Sequence, residues 1–342
     1  MAPSRQLSRI QEKLVDFGPA LRSAAAVSGC LAFGQLAGRT ALGLVMAVGA
    51  RRLALVDARG TNATRAARMA IAIVAGCLAA FAGTVVGHSL ALSTLGMFAL
   101  GWVAGVARGR SEAAGRLASS PAILFALAQI LPGDVQVALE RALAVGAGGV
   151  LAAGFLLSGY PRGWGRLVGK EARAALHFLR RAMLSPGADL RFGVVLASTV
   201  SACLFIVRAL DLPRGHWVVV SVLVVLRPER VATHRRGMER VLGTLLGCLF
   251  GAGLVFALRS PWLADLCIFL LMVGFFRLQP QAYGWSLAFF TPAVVLGISL
   301  LEPGNWHWAT NRAVDVAAGS LVALAVGFLL RGTLTRPTLP VV

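Results

Sequence analysis

Twelve apolar stretches, separated by short polar, glycine-bearing or proline-bearing turns, set the limits on this chain. They run over 20–37, 40–50, 69–87, 89–106, 117–131, 142–158, 192–207, 215–226, 241–258, 260–276, 278–301 and 313–330. Many fall slightly short of the about 20 residues that an upright helix needs to cross a bilayer. Only helices and closed barrels satisfy every backbone polar group inside lipid. Stretches this long without strict alternation select the helix. The predicted class is an all-α integral membrane protein of about twelve transmembrane segments.

Composition closes off other classes. Charged residues make up 14% and apolar residues 57% of the 342, against about 25% charged in a soluble domain. Disordered, collagen-like and disulfide-scaffold chains are excluded. Cys30, Cys77, Cys203, Cys248 and Cys267 all lie within apolar segments and lack CxxC spacing, so they read as packing residues. The first 18 residues are polar, with no apolar region before a cleavage site, which argues against a cleaved signal peptide. The net charge of +19 would suggest nucleic acid in a soluble protein. Here the bases punctuate apolar segments, so the expected partner is the lipid bilayer, with no nucleic acid.

The same bases orient the chain. With the N-terminus inside, 27 of the 33 Lys and Arg fall in inside segments, and Arg39, Arg141, Arg208, Arg214, Arg259 and Arg312 fall outside. That asymmetry predicts a multi-pass protein with both termini cytoplasmic. The second and eighth segments, 40–50 and 215–226, are short. The charge bias still requires them to cross, so the turns before them are expected to dip into the membrane against a protein or water cavity.

The chain also matches itself at a shift of 171 residues. Gly76-Cys77-Leu78 aligns with Gly247-Cys248-Leu249, Pro121 with Pro292, Pro132-Gly133 with Pro303-Gly304, Arg141 with Arg312, and Gly148 with Gly319. Six crossings per copy give two parallel six-helix repeats with a shared axis along the membrane normal. The expected division is residues 1–158, a cytoplasmic linker at 159–189, and residues 190–333. The linker reads equally as a basic amphipathic surface helix or as a plain connection.

Intramembrane ionisable groups are costly and mark functional candidates. The turn Asp211-Leu212-Pro213-Arg214-Gly215-His216-Trp217 precedes the short eighth segment. It reads as pathway lining or as an interfacial turn anchored by Trp217. Arg312 and Asp315 share one helical face, with Arg141 as the repeat counterpart of Arg312. They suit an anion pathway with proton coupling, or a structural ion pair. Arg227, Arg230, Arg236 and Arg240 form a basic mouth that either funnels anions or only satisfies the charge bias. Gly243, Gly247 and Gly251, with Thr244 beside them, read as a close-packing stripe. Pro121 and Pro292 should kink the fifth and eleventh segments. No hydrolase, metalloprotease or nucleotide-binding motif is present, and no metal or cofactor is expected.

The segments GHWVVVSVLVVLRPE, RVLGTLLGCLFGAGL, SLAFFTPAVVLGISL and GNWHWATNRAVDVAAGSLVALAVGFLL resemble the fusaric acid resistance protein-like family. That family includes the bacterial aromatic acid exporters and is related to plant aluminium-activated malate transporters. The likeness covers residues 190–331, the first half matching as a weaker copy. It implies an inner-membrane transporter or channel for small organic anions, often aromatic carboxylates leaving the cell. The family's motif falls on Gly215, His216, Trp217, Arg227, Pro228, Arg240, Gly243, Thr244, Arg312 and Asp315. Many such exporters carry a large cytoplasmic domain, where this chain has only the short linker. A passive anion channel and a non-transporting membrane scaffold are the alternatives, and homo-oligomers are compatible with all three.

Overall fold

The computed structural model describes residues 17–56, 62–157, 173, 188–212 and 215–329. Among them are twelve helices and no strand. They are α1 (Phe17–Leu36), α2 (Thr40–Val56), α3 (Asn62–Val86), α4 (Leu90–Arg110), α5 (Glu112–Ala128) and α6 (Val135–Leu157), followed by α7 (Ala188–Ala209), α8 (His216–Val225), α9 (Arg230–Ala257), α10 (Pro261–Leu278), α11 (Tyr283–Ser299) and α12 (His307–Leu329). The protein is an all-α multi-pass membrane protein. Seven helices, α3, α4, α6, α7, α9, α10 and α12, are long and apolar enough to span a bilayer by length and composition. Their outer faces carry Leu78, Leu143, Leu249 and Leu321, each more than 60% exposed, as a lipid-facing surface requires. The expected linker (apart from residues 173, 188 and 189), the N-terminal tail and Arg214 lie outside the described residues.

Most of the large helix contacts come in matched pairs, the packing of α1 on α6 being an exception. α1 packs on α2, as α7 does on α8; α6 packs on α2 and α3, as α12 does on α8 and α9; α5 packs on α3 and α4, as α11 does on α9 and α10. The two extensive contacts that join the halves, α4 on α7 and α10 on α1, are counterparts as well. Polar side chains pin the first of these joints. Arg208 Nη1 donates to Ser93 Oγ at 2.6 Å, and Ser201 Oγ donates to the Thr94 carbonyl at 3.2 Å.

Several boundaries differ from expectation, among them the starts of α3, α6, α11 and α12, and two of the differences share one physical reason. The second segment was expected to end at 50, with Arg51 and Arg52 in a loop. α2 instead continues to Val56, with Arg52 8% exposed. The ninth segment was expected from 241, whereas α9 begins at Arg230. In both places, charged helical turns face a polar chamber inside the protein, where hydropathy sees only the end of an apolar run.

The eighth segment is as short as expected, with 10 residues in α8. Pro228 biases the residue before it away from helix, and Leu226 is already extended at ψ 123°. A helix ending this deep leaves carbonyls without partners. Arg108 on α4 supplies them, donating from Nη1 to the carbonyls of Leu223 (2.7 Å) and Leu226 (2.9 Å), and from Nη2 to Ser119 Oγ (2.6 Å). Arg108→Met should therefore lower stability by about 2 kcal/mol, the cost of stranding buried acceptors, seen as a lower thermal midpoint in detergent. An unchanged midpoint would refute this capping role.

Candidate functional site

Two cavities meet inside the bundle, both walled by residues of the two halves. The first, about 110 Å³, is lined by Arg51, Arg52, Arg108, Arg116, Arg227, Arg236 and Arg240, with Glu112 as its carboxylate. These arginines arrive from five places: α2, α4, α5, the α8–α9 turn and α9. The second, about 310 Å³, has almost wholly apolar walls, including Leu31, Val45, Leu124, Leu127, Ile268, Met272 and Val294. Arg141 lies in its wall with Ile130 and Leu131, and its guanidinium donates to the Leu131 carbonyl.

Arg51, Trp217 and Phe290 belong to the walls of both cavities and form the junction. The Arg51 guanidinium carbon lies 4.3 Å from the centre of the Phe290 ring. That of Arg312 lies 4.1 Å from the Trp217 ring centre and 5.3 Å from that of Phe290. Cations from α2 and α12 therefore hold two aromatic rings by their faces. Arg312 is 4% exposed, and its Nε and Nη1 have no hydrogen-bond partner among the described residues. It shares a third, small cavity of about 10 Å³ with Trp217, Trp308, Asn311 and Asp315. That space is about the size of one water.

In the basic chamber some charges are engaged and others are not. Arg227 pairs with Glu112 at 2.8 Å. Arg108 is held by the end of α8. Arg236 lies 3.6 Å over the Tyr283 ring. Arg240, 5% exposed, donates from Nε to Ser221 Oγ (3.2 Å) and from Nη1 to the Tyr283 hydroxyl (3.1 Å). Arg52 Nε has no hydrogen-bond partner among the described residues. A buried guanidinium without a carboxylate is expensive. The chamber is therefore suited to an anion, which a guanidinium fork recognises in two-point fashion.

The sequence-predicted residues divide accordingly. Trp217, Arg141, Arg227, Arg236 and Arg240 line the two joined cavities, while Arg312 and Asp315 line the small one beside them. Arg230 lies over the Phe328 ring at 4.9 Å and is absent from those walls. His216 is buried at the first turn of α8, yet lines neither joined cavity; Asp211 is exposed, with φ +46°. Gly243, Gly247 and Gly251 face α11. A Cβ at Gly243 would overlap the Gly284 carbonyl, and one at Gly247 would lie 2.7 Å from Thr291 Cβ. Thr244 is buried beside them. Pro292 meets Gly251 from within α11, and Pro121 sits in the matching place within α5. Sequence reasoning did not single out Arg51, Arg52, Arg108, Tyr283 or Phe290 for the site. The signal available for the first two was a double arginine ending an apolar run.

The fusaric acid resistance protein-like family matches over residues 201–326, so the resemblance carried by the motifs is borne out for the second half. The uncharacterised protein ORF2 of Neisseria gonorrhoeae is 29% identical over 143 residues, covering 41% of this chain and 34% of that protein. The uncharacterised protein YhfK of Escherichia coli K12 is 28% identical over 116 residues, or 34% of this chain and 16% of the relative. The p-hydroxybenzoic acid efflux pump subunit AaeB of Escherichia fergusonii is 27% identical over 156 residues, or 41% of this chain and 24% of the subunit. In each case the chain covers well under two thirds of the relative's length. No solved structure matches.

Proposed function

We propose that this protein exports small organic anions, aromatic carboxylates among them, across the bacterial inner membrane. The observation that carries the proposal is the junction. A basic chamber and a larger apolar chamber share Arg51, Trp217 and Phe290. An aromatic carboxylate has the same two parts: a charged end for the arginines and a ring for the apolar walls. The likeness to a p-hydroxybenzoic acid efflux pump subunit supports this substrate class.

In this reading residues 1–158 and 190–333 are two parallel repeats, the linker at 159–189 and both termini are cytoplasmic, and the basic chamber faces the cytoplasm. The matched helix contacts and the distribution of bases support that arrangement. Arg240 and Arg52 receive the carboxylate. Trp217 and Phe290, held by Arg312 and Arg51, stack against the ring as it passes. Arg141 draws the anion toward the far end.

The test is flux into and out of proteoliposomes. p-Hydroxybenzoate and benzoate should move, whereas benzylamine should not. Saturation with concentration would mark a carrier, and linear flux a channel. Folded protein that moves no member of a carboxylate panel would overturn the proposal and leave a scaffold.

A further inference from the structure

The basic chamber holds more charge than one carboxylate answers. Seven arginines line it, with Glu112 as its acid. Glu112 pairs with Arg227, and Glu239, outside the wall, lies 4.0 Å from Arg236. Arg51, Arg52, Arg108, Arg116 and Arg240 have no carboxylate partner among the described residues. Three of these are deep: Arg52 and Arg108 are each 8% exposed, and Arg240 is 5% exposed. The Nε of Arg52 and that of Arg108 have no hydrogen-bond partner among the described residues. Arg52 lies within electrostatic reach of both Arg108 and Arg240, so like charge repels it from two sides.

Neither the charge bias nor the internal repeat accounts for this. The inside-positive bias counts bases and does not require them to be buried; the exposed Arg116 serves it as well as a buried arginine. The positions that match Arg51, Arg52 and Arg108 in the second half hold Val222, Leu223 and Gln279, so the two halves do not share these charges. A benzoate-type anion brings one negative charge and two oxygens in a plane. A phosphate monoester carries about −1.5 to −2 at pH 7 and three acceptor oxygens, which guanidinium forks bind in pairs. The chamber's volume of about 110 Å³ takes several water-sized groups, enough for a tetrahedral oxyanion.

We propose that the basic chamber binds a phosphate group as a resident counter-anion, held chiefly by Arg52, Arg108 and Arg240, and that a carboxylate enters by displacing it. This rests on the chamber's role as the anion's entry in the export reading above and adds a second ligand to it.

Titration calorimetry on the full chain in detergent, in chloride at fixed ionic strength and without other oxyanions, tests the binding directly. Inorganic phosphate should bind at least about tenfold tighter than benzoate, since one further charged hydrogen bond is worth that much or more. Dimethyl phosphate, with the same tetrahedral centre and a single charge, should bind no better than benzoate. Phenyl phosphate identifies the source: binding tighter than inorganic phosphate marks an ester whose ring reaches Trp217 and Phe290, and weaker binding marks the free ion. Arg52→Gln should weaken phosphate binding about tenfold or more, and Arg52→Lys should recover part of the loss. Arg259→Gln, in the wall of a separate cavity at the α9–α10 turn, should bind as the wild type does. Phosphate that binds no tighter than benzoate, or that binds folded Arg52→Gln as tightly as the wild type, overturns the proposal. The comparison of phosphate with dimethyl phosphate decides on the wild type alone if Arg52→Gln does not fold. In proteoliposomes, added phosphate should slow p-hydroxybenzoate flux at constant ionic strength, and an unchanged rate would count against displacement. A wild type that binds phosphate but moves no carboxylate overturns the export reading instead.

Discussion

Gly319→Ala is expected to keep much of the protein from folding, although it adds one methyl group. A Cβ at 319 would overlap the Val218 carbonyl oxygen and lie 2.7 Å from Ser221 Cβ. The obstacle on one side is α8 backbone, which cannot turn away as a side chain can. Overpacking typically costs about 1–3 kcal/mol and more where the backbone must move. About 3 kcal/mol is a large share of the about 5–15 kcal/mol that holds a typical protein folded. Gly148→Ala should behave alike, because its Cβ would overlap the Met46 carbonyl where α6 crosses α2. Gly253→Ala is the control. Nothing lies within 4 Å of its Cβ, so the better helix propensity of alanine should leave stability unchanged or slightly higher. Fluorescence-detected size exclusion and the thermal midpoint report the outcome. A Gly319→Ala protein that elutes and melts like the wild type would show that α8 and α12 are free to separate.

That crossing also shows what the sequence made legible. Gly148 and Gly319 stand 171 positions apart, and a glycine kept at both places suggested a demand that the two halves share. The brevity of α8 was readable from Gly215 and Pro228 at its flanks. Trp217 and Arg240 stood out as a bulky aromatic and a charge beside apolar runs. Other site residues gave no such contrast. Phe290 lies in an apolar run where a lipid-facing and a cavity-facing phenylalanine look the same. Arg108 was one more base at a helix end, and only the fold carries it to the carbonyls of α8. His216 was grouped with Trp217 by proximity in sequence, but neighbours on a helix point about 100° apart, which leaves His216 off the walls that Trp217 lines. Arg51 and Arg52 were assigned to a loop because hydropathy treats charge as the end of a span. A helix whose last turns face an internal basic chamber breaks that equation.

Arg240→Met should separate transport from stability. Arg240 is 5% exposed and donates only to neutral hydroxyls, those of Ser221 and Tyr283, among the described residues. Its charge is thus held without a carboxylate, an arrangement that costs free energy in the empty protein. Methionine fills much of the same volume without the charge. Replacing buried ionic groups by well-packed apolar ones is often neutral or stabilising, so the thermal midpoint should hold or rise. If Arg240 receives the carboxylate, flux should fall about 100-fold, since a charged hydrogen-bond partner is worth about 1.5–3 kcal/mol and each 1.4 kcal/mol is about tenfold. Arg240→Lys should recover part of the loss by restoring a point charge, but not the fork that reaches Ser221 and Tyr283 at once. A purely structural arginine would lower stability and flux together. Wild-type flux in a stable Arg240→Met protein would move the anion site to Arg52 and the other chamber arginines. Lost flux with retained stability would place the carboxylate where α9 meets α8 and α11.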